Sequence, residues 1–438
     1  MIVNKDNDMK LHIKIIGFGV LVIISGWIPL GHAYEGMLEG FINEALQNNP
    51  KIQESYHRWK AAEYKIKSVK SLDDPMLGIT LPGEHVETRL GPQERKYAIS
   101  QKIPFPGKLS LKGRVQSKQA EIHREQYEST KSEIIKNVKF VYYDLFWIDR
   151  AVAINEEEKA ILEKLEKVAQ RKYESNLIPQ QDVIKAQVEL TKLTDKLYLL
   201  NQNRKSLTAK MNSILNRDRN TEIPGILDVS ISDFSFSLEK LIETAKESRQ
   251  ELKASQLAVE RADYEKSLSK MSYLPDFTFG VDYIEVGGGT TTHPDDGKDA
   301  WMAMVSVNLP LWFGKNASQV NEKKAELAAA ENNSVNMENT TVYEVEDMYY
   351  KIAAYKDILS LYKTSLIPQS DQAFDAARSG CESGQVDFLN WLDAERNLLQ
   401  TRLAYYKSMS DYLKSVAYLE RVVGQSLFTE GKNEGDSK

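Results

Sequence analysis

The sequence holds a single cysteine, Cys381, so no disulfide can form within the chain. It lacks a basic excess as well: 57 Lys and Arg stand against 63 Asp and Glu, a formal net charge of -6. No long basic run occurs outside helical patterns, so a nucleic-acid footprint is missing and nucleic acid is not an expected partner. Histidines are scattered, among them His57, His85, His123 and His293, and no His or Cys pair has metal-ligand spacing. With no Ser-His-Asp set, phosphate loop or metal triad, the chain reads as neither an enzyme nor a cofactor carrier. Apart from one stretch near its start, no run is apolar enough for a membrane helix.

What is present is 438 residues of ordinary globular composition, 42% hydrophobic and 27% charged, enough for a large core or two domains. Lys5, Lys10 and Lys14 precede an apolar stretch from Ile15 to Leu30, and Gly31-His32-Ala33 follows with small residues at the first and third places. That order predicts a secretory signal peptide over residues 1–33. A membrane anchor is the competing reading, but an apolar run of about 16 residues falls short of the ~20 that a spanning helix needs. No cysteine near the processing site is available for a lipid, so an acylated N-terminus is not expected.

Sliding the sequence against itself by 200 residues aligns Leu38 to Pro75 with Leu238 to Pro275 without a gap. Identities fall at Leu38/Leu238, Ile42/Ile242, Ala45/Ala245, Ser55/Ser255, Ala62/Ala262, Tyr64/Tyr264, Lys70/Lys270 and Pro75/Pro275, among others. Ser100 to Pro104 similarly matches Ser306 to Pro310, each followed by Gly-Lys at Gly107-Lys108 and Gly314-Lys315. A tandem duplication follows: a first repeat over 34–217, a linker at 218–236 where Pro224, Gly225 and several serines break the helical pattern, a second repeat over 237–424, and a polar tail over 425–438.

Each repeat reads helix, helix, two strands, a very long helix and a returning helix. From about Gly107 to Asn176 no proline intervenes, and a continuous helix there would be on the order of 100 Å long. Ile134, Val138, Val141, Leu145, Ile148 and Val152 recur at steps of four and three, a coiled-coil seam. The returning helix repeats the rule with Val183, Ala186, Leu190, Leu193, Leu197 and Leu200. In the second repeat Leu389, Leu392, Arg396, Leu399, Leu403 and Tyr406 do so, with Arg396 as a polar guest at a seam position. Helix pairs this long make a rod or a tube.

Strands are expected near 75–83, 95–106, 275–286 and 300–310. Phe277, Phe279, Val281 and Tyr283 alternate with Asp276, Thr278, Gly280 and Asp282; Trp301, Ala303, Val305, Val307 and Leu309 alternate with Met302, Met304, Ser306 and Asn308. A half-buried sheet in a soluble protein would show the same alternation. The export signal, the Gly287-Gly288-Gly289 run and the His293-Pro294-Asp295-Asp296 loop favour an outer-membrane barrel with that loop outside the cell. A charge facing lipid is costly, so Asp276, Asp282, Met302 and Met304 are expected on the lumen side. Four strands cannot close a barrel, and an open edge cannot sit in lipid. Three copies would give twelve strands and room for a lumen, where two would leave an interior filled by side chains.

Three features carry a resemblance: the duplicated order, the strand exit Gln101-Lys102-Ile103-Pro104-Phe105-Pro106-Gly107-Lys108, and the run Phe388-Leu389-Asn390-Trp391-Leu392-Asp393-Ala394-Glu395. Together, over about residues 35 to 424, they resemble the TolC-like outer-membrane efflux factors, the strand exit most of all the heavy-metal, CzcC/CusC-like branch. The resemblance implies a mixed α and β fold in which a homotrimer builds a twelve-stranded outer-membrane barrel continued by a helical coiled-coil tunnel in the periplasm. It implies a passive duct served by a periplasmic adaptor (membrane fusion) protein and an inner-membrane pump, with the resistance-nodulation-division type expected. It also places adaptor docking at two hairpin tips, Asn176, Leu177 and Gln181 in the first repeat and Gly384, Gln385 and Val386 in the second. Gly384, and Asn176 as its substitute, suit a positive backbone angle.

In some members an aromatic and an arginine lock onto an acidic residue matching Asp182; Cys381 and Val386 stand at those places, which implies that this network is missing. Where members carry two acidic residues one turn apart at the narrow end, this chain has Asn390 and Asp393. Asp393 fits a constriction ring, or a solvated charge near a helix start. Met302 and Met304 offer soft sulfur to copper or silver, or simply line the wall. Cys381 reads as a solitary thiol near the tip, with a cross-link to a neighbour as the other reading. An exit duct for solutes with heavy-metal cations favoured, an exit duct for type I protein secretion, and a soluble periplasmic coiled-coil scaffold all remain compatible with the residues.

Overall fold

In the computed structural model the described residues are 30–84, 86–289 and 292–428. The expected leader lies almost wholly outside them, as do His85 and the tail from residue 429. The first half of the chain runs α1 (Leu30–Asn48), α2 (Pro50–Lys70), β1 (Met76–Thr80), β2 (Val86–Thr88), β3 (Gly91–Ile103), α3 (Lys108–Glu174) and α4 (Gln180–Leu215). The second runs α5 (Leu238–Ser248), α6 (Gln250–Lys270), a 3-10 turn (Met271–Tyr273), β4 (Phe277–Val286), β5 (Ala300–Val307), α7 (Phe313–Leu361), a π-helical turn (Tyr362–Leu366), α8 (Ile367–Glu382) and α9 (Phe388–Val423).

Local chemistry sets these boundaries. Asn49 caps α2 by accepting a hydrogen bond from the Lys51 N–H, and Pro50 occupies the first turn, where no N–H is needed. Two hundred residues later α6 begins and ends at the matching places, although the cap there is Arg249, whose side chain instead forms an ion pair with Glu344 at 2.7 Å. β3 opens at Gly91, earlier than the expected 95, and stops at Ile103 because Pro104 and Pro106 supply no N–H to a ladder. The short β2, which pairs with β3, has no counterpart among the expected strands; three residues are too few for an alternating pattern to register. The π-helical turn sits just before Pro368, which cannot donate to the Thr364 carbonyl and crowds it, so the helical ladder widens there.

At 67 residues α3 is about 100 Å long and acts as the spine of the molecule. Val138, Val141 and Leu145 of its expected seam are fully buried, packed with Phe41, Met211, Leu241, Ile352 and Leu419 from α1, α4, α5, α7 and α9 in the main core. The 218–236 linker has no helix or strand, yet it is no slack tether: Ile223, Ile226, Val229 and Phe234 enter that core. Asp149 of α3 accepts from the Ile226 N–H at 2.8 Å and from Arg204 of α4 at 2.5 Å, which fastens the linker to both helices.

All the strands share one antiparallel sheet, in the order β1-β3-β4-β5 with β2 beside β3, so the second strand of one repeat pairs with the first strand of the other. β1 and β5 are the edges, each paired on one side alone, and every residue of both is exposed. At the loop end, Gly91 (φ 122°) approaches Gly287 so closely that a Cβ at position 91 would lie 1.9 Å from the Gly287 carbonyl oxygen. Only glycine permits both that angle and that contact.

Candidate functional site

The sheet has two chemically distinct faces. In register across the strands, Ile79, Tyr97, Tyr283 and Trp301 form one row, and Leu77, Ile99, Val281 and Ala303 the next; Phe277 and Val307 close that face at the helical end. This apolar face is open, with Trp301 at 72% exposure and Val305 at 64%. Beyond its helical end Leu309, Leu311, Trp312 and Phe313 are also exposed, so aromatic rings stand at both ends of an apolar band. The opposite face carries Gly78, Ala98, Asp282 and Met302 in one row and Met76, Ser100, Gly280 and Met304 in the next.

Asp282, Met302 and Met304 therefore share the polar face. Asp282 is buried there, with Lys96 of β3 at 2.6 Å from its carboxylate. Asp276 lies just before β4 and is engaged by Lys108 at 2.7 Å, by Lys102 at 3.4 Å and by the Phe105 N–H at 3.0 Å. It fastens the strand exit to the start of α3. Gly107 at that exit has φ 95°, and its Cβ would meet Met271, whereas Gly314 in the second repeat has open space and no positive φ. The repeated Gly-Lys is thus a backbone requirement in one copy alone.

Both hairpin tips close by the same device. At the end of α3 the Leu177 N–H donates to the Lys172 carbonyl and the Asn176 N–H to the Tyr173 carbonyl, each at 2.8 Å. At the end of α8 the Gln385 N–H donates to Gly380 at 2.8 Å and the Gly384 N–H to Cys381 at 3.3 Å. This helix stop needs a left-handed residue at its centre, and Asn176 (φ 56°) and Gly384 (φ 77°) supply it. Leu177, Gln181, Gly384 and Gln385 are exposed around the two stops, while Val386 turns inward over Gly380. A Cβ on Gly380 would lie 2.4 Å from Val386 Cγ2, so Gly380 is the small residue that lets the second tip close. Its own backbone angle is ordinary, which is why a search for turn glycines passes over it.

Behind the tips, Cys381, Phe388, Trp391 and Leu392 pack on Leu162, Leu165, Ala169, Ala186 and Leu193. Cys381 is fully buried in this cluster, which argues against a cross-link to a neighbour. Asp182 is buried beside it, and that burial, with the nearby Asp387, raises its pKa above the ordinary carboxylate value. Asn390 and Asp393 are exposed on the outer face of α9, and Asp393 forms an ion pair with Arg396. The expected seam of α9 is corrected here: Arg396 points outward, and Glu395 takes the buried place between Leu392 and Leu398. A step count alone could not separate those neighbours, because a heptad pattern with one polar member fits either phase.

A family model described as "Outer membrane efflux protein" matches residues 41–217 and 241–425, most of the chain and both repeats. This chain belongs to that family. The efflux protein is 25% identical over 405 residues to the outer membrane protein TolC of Vibrio cholerae, covering 87% of this chain and 89% of that one. A segment of 63 residues is 33% identical to the cobalt-zinc-cadmium resistance protein CzcC of Cupriavidus metallidurans, 14% of this chain and 15% of that one. Its fold is that of the outer membrane protein VceC of Vibrio cholerae, with a TM-score of 0.76 at 18% identity over 90% of this chain and 98% of that chain. The efflux protein accordingly resides in the outer membrane as a channel, with the helical hairpins as its large periplasmic part. Among the described residues no helix is long and apolar enough to cross a membrane, and no group of three or more His, Cys, Asp or Glu could hold a metal ion.

Proposed function

We propose that three copies of this chain form one exit duct, in which β5 of each copy pairs with β1 of the next to close a twelve-stranded barrel. The observation that carries this reading is the two exposed edge strands, each paired on one side alone, of a sheet whose open face is apolar. Unsatisfied edges do not persist in lipid, and a neighbour's edge strand satisfies both. The apolar band then meets the bilayer, Asp282, Met302 and Met304 line the lumen, and Asp276 sits at its periplasmic exit. The helices carry the lumen onward to a constriction at Asn390 and Asp393.

The duct is passive in this reading. A periplasmic adaptor seats on the tips around Asn176, Leu177, Gln181, Gly384, Gln385 and Val386, and an inner-membrane pump of the resistance-nodulation-division type supplies the energy. The favoured cargo is heavy-metal cations, on the strength of the strand exit and of the segment similar to CzcC. Removing the protein from its host should then lower tolerance to cobalt, zinc or cadmium, and restoring it should return that tolerance. Unchanged metal tolerance together with loss of a secreted protein would instead favour the type I secretion duct. Cross-linking in outer membranes should yield trimers; a product that stops at dimers, or a soluble monomer, would overturn the shared barrel.

A further inference from the structure

Near the tips, α9 meets α3 and α4 around a cavity of about 160 Å³. Glu158 of α3 and Glu395 of α9 both line it, at 6% and 2% exposure. Neither carboxylate has a hydrogen-bond partner among the described residues, and Glu158 Oε1 is wholly enclosed. Leu162, Leu193, Leu392 and Leu399 supply apolar wall. Two buried acids line opposite sides of this joint with no cation among the described residues paired to either, so burial disfavours the charged form of each.

The other charged groups around the cavity do not relieve this. On α4, Lys192 is held by Glu189 at 2.9 Å, while Lys196 has its own pKa lowered by desolvation. On α9 itself Arg396 pairs with Asp393, and Arg402 pairs with Asp371 of α8 at 2.8 Å. Among the described residues Arg402 is the one cation that acts appreciably on Glu395, and burial outweighs it.

We propose that this cavity is a proton-operated joint between the two hairpins: with Glu395 protonated the second hairpin stays packed on the first, and with Glu395 ionised the joint loosens. Burial pushes the Glu395 carboxyl from 4.5 up to about 7. The sign follows from linkage. The packed joint binds the proton more tightly than a state in which Glu395 meets water, so packing is fully favoured below about 4.5. It weakens as pH rises through the interval to about 7 and stays weakened above it. A shift of that size changes the packed-to-loosened ratio by up to about three hundredfold. That the loosened joint widens the periplasmic end rests on the duct reading; the joint itself does not.

Cys381 belongs to the same buried cluster as Leu162, Leu193 and Leu392 and reports on the joint without any need for conduction. The experiment measures alkylation of Cys381 by a neutral maleimide in the purified full-length protein, each rate divided by that of the unfolded chain at the same pH. Between about pH 5.5 and pH 8.5 the parent's normalised rate should rise tenfold or more. Glu395→Gln and Glu395→Leu should hold it flat at the low value. A flat parent, or a rise that survives in either Glu395 variant, overturns the proposal. So does high reactivity of both variants at about pH 5.5, since a neutral residue should keep the joint closed. Failure of the duct reading would show separately, as absence of conductance through the purified protein in a planar bilayer.

Discussion

The ammonium of Lys172 lies 2.6 Å from the carbonyl oxygen of Cys381, so the last turn of α3 is tied to the last turn of α8. The same lysine's carbonyl accepts the Leu177 N–H that closes the first tip, and the Cys381 carbonyl accepts the Gly384 N–H of the second. A cation at the negative end of a helix is favourable, and hydrogen bonds from charged donors contribute about 1.5 to 3 kcal/mol. Lys172→Met should therefore free the second tip from the first. Single-channel recordings of the purified protein should show more frequent opening than in the parent; an unchanged record would mean that the contact does not restrain the tip.

The tips offer a sharper substitution. Gly384 has φ 77°, where a β-branched residue is strained by about 1 to 3 kcal/mol. Gly384→Val should break the closure of the second tip and abolish capture of the adaptor while leaving the barrel assembled. Gly380→Val should do the same by collision with Val386 rather than by backbone strain. Pull-down with the adaptor, alongside trimer recovery from outer membranes, separates the two effects, and export that survives Gly384→Val would displace the docking surface.

The assignment of sheet faces can be tested with one residue from each. Val281 belongs to the open apolar face and Met302 to the other. Arginine in contact with the middle of the bilayer costs about 2 to 4 kcal/mol, and much less in a water-filled lumen. Val281→Arg should lower folding yield into lipid vesicles, whereas Met302→Arg should fold as the parent does. The reverse order would turn the sheet inside out.

Much of the architecture is legible in the sequence because its causes are local and repeated. The seam of Val138, Val141 and Leu145 and the proline stops of β3 need no knowledge of partners. Asn176 and Gly384 are legible for the same reason, since a left-handed helix stop admits few residue types. What stays hidden depends on contacts between distant segments. Glu395, not Arg396, enters the seam because α3 and α4 stand behind it; Lys172 finds a partner 209 residues away. The 218–236 segment, polar enough to read as a bare linker, buries Ile226 because Asp149 holds its backbone.

The charged cluster between the repeats gives an acid limit to stability. Arg421 of α9 bridges Glu133 of α3, at 3.1 Å, and Glu251 of α6. Burial works to raise the Glu251 carboxyl, but the Ser129 hydroxyl and the Arg421 guanidinium together hold it below the usual value; Glu133 is lowered likewise against its burial by Lys136 and Arg421. Groups with depressed pKa contribute stability above the unfolded value, about 4.3, and lose it as pH falls through the folded one. Thermal melts should drop below about pH 4.5. Arg421→Met should lower stability at pH 7 by about 3 kcal/mol and flatten that acid dependence; a melt as acid-sensitive as the parent's would place the loss elsewhere.

At the proposed constriction the decisive geometry is that Asn390 and Asp393 sit one turn apart on the exposed side of α9, while Trp391, Leu392 and Glu395 face inward. In the proposed trimer three Asp393 carboxylates converge on one axis. Carboxylates gathered in a narrow pore repel one another and draw cations, so the conductance should prefer cations and be blocked by multivalent ones. Each Asp393 already carries a counter-charge in Arg396, and Asn390 adds none, which makes this ring weaker than a double acidic pair. The two substitutions should therefore act in opposite directions. Asp393→Ala should reduce cation preference and relieve block by a trivalent cation, whereas Arg396→Gln should strengthen both. Recordings from planar bilayers with a salt gradient read the preference directly. If both variants behave as the parent does, Asp393 is a solvated surface charge and the constriction lies elsewhere along α9.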